Sequence, residues 1–299
     1  MEIGQASNST DGETLVVVGD LILDQYVYGT VRRNAPEADV PVVEQEKTEY
    51  YPGGVANVAM NLVALGTAVI LIGAVGGDAE GQRLFSVLTS AKVDVSCIQI
   101  LAERPTCHKT RIIGNGRHLV RLDREVVTPI GEEQRRAALD AVRRYLPHAR
   151  GMICSDYNKG FLCGRYEGVT VLMPNLDELG KLSGLPIVSS ADTDTAARAV
   201  LTRVHPEALL VTCGADGMVL YESDGKSSTI PGRAAAAREV SGAGDSAVAT
   251  FAWAYLVSRQ PLKEAAEVAN NAGSIAVTKP GTATVAKSEL IEVLCSGGS

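Results

Sequence analysis

Residues 14–20 (TLVVVGD) form an unbroken apolar run, mostly β-branched, that ends in Gly-Asp. A run with no polar face is the pattern of a strand covered on both sides in a parallel sheet. Residues 68–75 (AVILIGAV) repeat it. Two shorter stretches of mixed polarity, 26–32 and 40–46, predict a half-exposed antiparallel pair inserted after the first strand, in the place of a lid. Gly53-Gly54 opens a small-residue helix over 55–65, which Gly66 stops, and another helix is predicted over 78–90. Residues 107–113 and 118–123 read as a hairpin around Gly114-Asn115-Gly116. Further along, helices are predicted over 131–146, 176–183, 191–203, 245–258 and 262–278, with strands over 151–156, 169–173, 208–213 and 217–222.

Strands alternating with helices predict a layered α/β/α domain with a mainly parallel central sheet. It is expected to span 13–299, with 26–46 and parts of 107–123 as a β lid and 1–12 (MEIGQASNSTDG) as a disordered leader. In such sheets ligands bind beyond the carboxyl ends of the strands. Asp20 and Asp24 follow the first strand, Asp156 ends a middle one and Asn175 the next, so these polar groups are expected on one rim.

Composition narrows the partners. The 299 residues are 45% hydrophobic, enough for a large core, and carry 28 Lys and Arg against 35 Asp and Glu, a net charge of −7. An acidic chain with no basic run argues against nucleic acid and against an anionic membrane surface. No apolar stretch reaches the length of a spanning helix, and the polar start lacks the regions of a secretory signal, so a cytoplasmic location is expected. The six cysteines include no C-x-x-C pair and the four histidines no H-x-x-x-H pair, which argues against structural zinc or a disulfide framework.

The stretch richest in chemistry is Ser241-Gly242-Ala243-Gly244-Asp245, which runs straight into the apolar helix predicted from 245. Glycines let a backbone approach an anion closely, and the free N–H groups and dipole of a helix start attract negative charge. Asp245 has two readings: a first-turn acid that stabilises the helix, or a base that takes the proton from an attacking hydroxyl while the loop N–H groups stabilise a transferring phosphoryl. No G-x-x-x-x-G-K-[ST] is present, because position 220 is Leu where Gly225-Lys226-Ser227 would need glycine. Residues 242–247 do fit G-x-G-x-x-A, but they lie far from the first strand–helix turn, where a dinucleotide fingerprint belongs.

Four motifs in order resemble the ribokinase/PfkB family of sugar kinases: Gly53-Gly54-x-x-Asn57, Asn175-Leu176-Asp177-Glu178, Thr212-Cys213-Gly214-Ala215-Asp216-Gly217 and 240–245 (VSGAGD). Within that family the finer likeness is to the kinases of D-glycero-β-D-manno-heptose 7-phosphate. It is carried by 35–43 (APEADVPVV), 51–59 (YPGGVANVA), 121–123 (RLD), 155–160 (SDYNKG) and 279–285 (KPGTATV). The resemblance implies a ribokinase-like fold. It also implies transfer of phosphoryl from ATP to the anomeric hydroxyl, giving the 1,7-bisphosphate of lipopolysaccharide inner-core synthesis. No H-x-G-H segment follows, so the expectation is a kinase without the nucleotidyltransferase half of bifunctional relatives.

The implied roles are specific. Asp245 is the base and Gly242, Ala243 and Gly244 supply the amides around the transferring group. Asp20, Asp24, Gly53, Gly54 and Asn57 meet the sugar. Lys109 and Arg111, two apart on one strand, reach its phosphate or are simply solvated, with Arg117, Arg121 and Arg124 behind them. Asn175 and Glu178 hold Mg²⁺-bound phosphates, Glu178 through water, although the same pair has the form of a capping box. Thr212, Gly214, Gly217 and Asn271 face the nucleotide. The lid has too few strands to stand alone, which predicts a homodimer formed through it.

Two departures from the family stand out. Between Gly160 and Arg165 only Phe161-Leu162-Cys163-Gly164 remain where relatives carry a helix and a further strand. Glu239 replaces a usual Asp beside the loop, which bears on a monovalent-cation site. Three other readings stay open at this point: another PfkB sugar kinase, such as a fructokinase or ribokinase; a non-catalytic nucleotide- or sugar-binding protein; and an NAD-dependent oxidoreductase.

Overall fold

In a computed structural model of the chain, residues 13–162, 168–233 and 241–296 are described. The expected leader at 1–12, Arg165 and Glu239 lie outside these residues. The chain divides into two compact units, one of Ser9–Cys163 with Gly281–Thr284, the other mainly of Gly164–Pro280 and Val285–Ser299.

In the first unit the strands β1 (Thr14–Gly19), β4 (Ala68–Gly76), β5 (Asp94–Leu101) and β8 (Gly151–Ser155) form an all-parallel sheet in the order β5-β4-β1-β8. Leu15, Val16 and Val17 of β1 have no exposed surface, as an apolar run without a polar face requires. Helix α3 (Glu132–Tyr145) packs Ala138 against Val16, Val18 and Ile72, and Phe161 joins this cluster. Helices α1 (Val55–Ala64) and α2 (Ala79–Ser90) complete the crossovers.

The second sheet of this unit has the order β3-β2-β6-β7. Strands β2 (Leu21–Asn34) and β3 (Pro41–Gly54) make a long antiparallel hairpin, β6 (Cys107–Gly114) runs parallel to β2, and β7 (Arg117–Arg124) returns antiparallel to β6. Asn115 and Gly116 both have positive φ, 51° and 76°, the two-residue hairpin turn that Asn-Gly favours. The hairpin is longer than the sequence pattern at 26–46 because Leu21, Ile22 and Leu23 extend β2 inward as buried residues.

In the second unit β9 (Val171–Leu172), β10 (Ala208–Thr212), β11 (Gly217–Glu222) and β12 (Ser227–Pro231) form a mixed sheet in the order β12-β11-β10-β9, parallel only at β9/β10. Helices α4 (Leu176–Ser183) and α5 (Ser190–Val204) cover it, with Leu179, Ala196 and Val200 against Leu172, Leu209, Val211 and Tyr221. Helix α6 (Ala243–Ala252) passes into a π-helical turn, Trp253–Val257, and packs on α7 (Leu262–Ala276); α8 (Lys287–Ser296) follows.

The α/β class is as the sequence pattern predicts, but the single expected sheet is two sheets among the described residues. One ends at β8 and the other at β9, and no described residue between Ser155 and Val171 adds a strand to either. This is the place where the sequence reading expects a helix and a strand to be missing.

Candidate active site

In the first unit the predicted sugar residues gather at the base of the long hairpin. Asp24 is 4% exposed and pairs with Arg111 on the adjacent strand, Nη1 to Oδ1 at 2.5 Å. Arg111 also lies over the ring of Tyr26, 5.1 Å from its centroid. Gly53 is opposite: a Cβ there would stand 2.2 Å from Asp24 Oδ2, so only glycine permits this approach. Gly54 has φ 57° and caps α1, and a Cβ on it would meet the Asp20 carbonyl at 2.5 Å. Asn57 is buried in the first turn of α1, where its side-chain oxygen accepts from Asn61 Nδ2 at 3.2 Å.

Lys109 shares a face with Arg111. Its ammonium lies 3.5 Å from Asp123 Oδ2 and 3.8 Å from Glu125 Oε2, and Glu125 Oε1 is held by Lys159 at 2.7 Å. Burial pushes the Glu125 carboxyl up, but the hydrogen bond from Lys159 and the charges of Lys109 and Lys159 outweigh it and bring it below the usual range. Asp123 moves the same way, burial being overcome by Arg121 and Lys109. Arg121 is engaged by Asp123, and Arg124 by Asp78 and Glu80. Arg117 is exposed at the start of β7.

Asp20 behaves differently from Asp24. It is 3% exposed and its carboxylate accepts three backbone N–H groups, from Tyr157, Lys159 and Phe161. Asp156 accepts from the Asn158 N–H. Asp20 and Asp156 lie past the carboxyl ends of the paired strands β1 and β8, as the rim argument predicts, Gly19 being in register with Ser155.

In the second unit, Asn175 and Glu178 form the capping box that their spacing allows: Glu178 N–H donates to Asn175 Oδ1 and Asn175 N–H to Glu178 Oε2, both at 2.9 Å. Asn175 also bridges Thr212, so the two lie together at the ends of β9 and β10. The turn after Thr212 has Gly214 at φ 61° and Gly217 at φ 95°, and a Cβ on Gly217 would meet the Ile230 carbonyl at 2.2 Å. Asn271 is buried in α7.

Helix α6 begins at Gly242, in left-handed conformation, an N-cap residue with no side chain of its own to cap the helix. Asp78, Asn175 and Ser189 fill that role for α2, α4 and α5. Asp245 is 7% exposed in the first turn of α6, and Gly244 has open space around its Cα. Among the described residues no cluster of His, Cys, Asp and Glu could hold a metal by itself. Glu178 is exposed, with Oε1 outside the capping box, which suits a carboxylate that holds a hydrated ion through water.

Sequence reasoning assigned no role to three groups in the first unit. Arg104 donates to the carbonyls of Val126, Thr128 and Lys159. Lys159 lies within a quoted motif but its link to Glu125 has no sequence signal. Asp78 caps α2 while accepting from Thr106 and Arg124; only its place before a helix pointed to it.

An α/β unit with a sheet inserted after its first strand, and a second unit with a glycine-capped helix around a buried aspartate, are the build of a ribokinase-like kinase. Solved structures agree on the fold. Arabidopsis thaliana ribokinase complexed with ribose and ATP superposes with TM-score 0.74 at 19% identity, covering 95% of this chain and 99% of that one. Escherichia coli phosphofructokinase-2 in complex with potassium gives 0.77 at 17% identity, covering 95% and 98%. The chain belongs to the pfkB family of carbohydrate kinases, whose profile it matches over residues 13–143 and 162–289. It is similar to the bifunctional protein HldE of Paramagnetospirillum magneticum, 37% identical over 310 positions that cover 95% of this chain and 63% of the relative. The chain thus spans a little under two thirds of the curated relatives it matches. The aligned span exceeds the chain's 299 residues, so the relative carries residues that this chain lacks. No helix among the described residues is long and apolar enough to cross a membrane.

Proposed function

We propose that the chain transfers the γ-phosphoryl of ATP to the anomeric hydroxyl of D-glycero-β-D-manno-heptose 7-phosphate. The observation that carries the phosphoryl-transfer part is the start of α6: a left-handed glycine at the N-cap, open space beside Gly244, and the buried Asp245 in the first turn. The sugar is supported by the motif strings at 35–43, 51–59 and 155–160 and by the similarity to HldE proteins.

Asp245 accepts the proton of the attacking hydroxyl, and the 242–244 backbone supplies the donors for charge that develops in transfer. Glu178 would hold Mg²⁺ through water, where the ion would neutralise charge on the phosphates of ATP. Thr212, Gly214, Gly217 and Asn271 line the nucleotide side. Asp24, fixed by Arg111 and Gly53, accepts from sugar hydroxyls. Lys109 and Arg111 face the 7-phosphate; the Lys109–Arg111–Arg121–Lys159 group holds four cations against Asp24, Asp123 and Glu125, a net positive charge. The β3-β2-β6-β7 sheet serves as the lid and pairs with a second copy. Leu119, Val120 and Leu122 of β7, all exposed, supply apolar surface for that pairing.

ADP release with Mg-ATP across heptose 7-phosphate, sedoheptulose 7-phosphate, fructose 6-phosphate, fructose and ribose tests the reading. Turnover confined to the aldoheptose phosphate is expected. Turnover of fructose or ribose instead moves the assignment to another pfkB kinase, and ATP binding without turnover of any sugar overturns catalysis.

A further inference from the structure

The turn that follows β8 is held at several points along its backbone. The N–H groups of Tyr157 and Lys159 donate to Asp20 Oδ2 at 2.9 and 3.0 Å, and that of Phe161 to Oδ1 at 3.1 Å. The Lys159 carbonyl accepts from Arg104, and the Gly160 carbonyl from Ile130 N–H at 2.9 Å. Two residues are left-handed, Asn158 at φ 57° and Gly160 at φ 87°, and a Cβ on Gly160 would lie 2.2 Å from the Thr128 carbonyl. Phe161 locks the far end into the core beside Val16 and Val18. Backbone in sparsely populated conformations persists where its surroundings over-determine it, and such segments concentrate at functional sites.

Among residues 157–161 the one charged side chain is that of Lys159. Its Nζ reaches Glu125 Oε1 at 2.7 Å, and the other oxygen of Glu125 faces Lys109. Asp20 has little left for a ligand: a carboxylate offers about four acceptor positions, three are taken, and the residue is 3% exposed.

The geometry points to Asp20 as a positioning residue for the reaction: through the backbone of turn 157–161 it sets the Lys159 ammonium to meet the anionic substrate, and it is not itself a sugar ligand. This rests on the sugar-phosphate kinase reading above.

The test compares Asp20→Asn, Lys159→Met and the double variant by steady-state kinetics with heptose 7-phosphate and ATP, and by amide hydrogen exchange. Each single variant is expected to raise the sugar-phosphate KM by roughly tenfold or more with the ATP KM unchanged, the scale of a lost charged hydrogen bond. The double variant should be no worse than Lys159→Met alone, because both changes remove one contact. In Asp20→Asn the amides of 157, 159 and 161 should exchange faster while those of β1 do not. Losses that multiply in the double variant, or unchanged exchange at the three amides, overturn the proposal. If Asp20→Asn does not fold, an unchanged sugar-phosphate KM in Lys159→Met overturns it. A wild-type chain that turns over no sugar phosphate defeats the kinase reading itself, and amide exchange then still decides whether Asp20 holds the turn.

Discussion

Gly53 and Asp24 approach so closely that any side chain on the first displaces the second: a Cβ would lie 2.2 Å from the carboxylate oxygen. Asp24 has nowhere to retreat, since Arg111 holds its other oxygen at 2.5 Å. Gly53→Ala should therefore cost about 1–3 kcal/mol, the usual scale of overpacking, and should raise the sugar KM more than the ATP KM. Thermal unfolding and two substrate titrations check it; a variant with native Tm and native sugar KM shows that the hairpin simply yields.

Asp245→Asn keeps the shape and the polar contacts of the helix start but removes a proton acceptor. Turnover should fall by about 10²- to 10⁴-fold, the range for loss of a general base, with ATP affinity nearly unchanged. Equal losses in both would instead assign Asp245 to nucleotide binding.

Glu178 can be separated into its two roles. Gln completes a capping box as Glu does, so Glu178→Gln should leave Tm unaltered while raising the Mg²⁺ concentration needed for half-maximal rate. Glu178→Ala should lower stability as well, by about 1 kcal/mol. A Gln variant that melts early with an unchanged Mg²⁺ requirement shows that capping is the residue's whole contribution.

These two sites show what could be read from sequence. The capping box, the glycine-rich helix start and the Asn-Gly hairpin are local: residue type and spacing determine them within a turn or two, and they stand where the pattern predicts. The buried strands were legible because an apolar run has one stable environment. What was not legible is set by distant partners. The three donors to Asp20 come from residues 157, 159 and 161, more than 130 positions away, so nothing around Asp20 distinguishes an anchor from a sugar ligand. β5 alternates irregularly, β12 is short and polar, and neither announces itself without the neighbour it pairs with.

Asp78 sets an acid limit on the fold. Burial raises its carboxyl, but hydrogen bonds from Thr106 and Gly81 and the charge of Arg124 outweigh this and hold it below the usual carboxylate range. A depressed folded value contributes stability above the unfolded one and loses it as pH falls. Asp78→Asn should therefore be less stable than the parent at pH 7 and should show a shallower loss below about pH 4. Urea unfolding at pH 7 and pH 3 measures both; parallel curves would remove Asp78 from the account.

Cys107 should be chemically quiet. Burial, then the Glu125 carboxylate beside it, pushes its thiol up to about 12, so the reactive thiolate is scarce at neutral pH. At pH 8 iodoacetamide should label the exposed Cys295 well before Cys107, as peptide mass mapping would show. Early labelling of Cys107 would mean that β6 opens readily.

Among the described residues β8 is the last strand of its sheet, and its sequence, GMICS, contains none of the lysines or prolines with which edge strands are commonly blunted. Met152 and Cys154 are its exposed residues. An edge of this kind carries a cost of assembly as well as of shape. The row of amides and carbonyls along β8 is a template for any extended segment with free ladder groups, a nascent copy of the same chain included, and the yield of folded protein becomes a question of concentration.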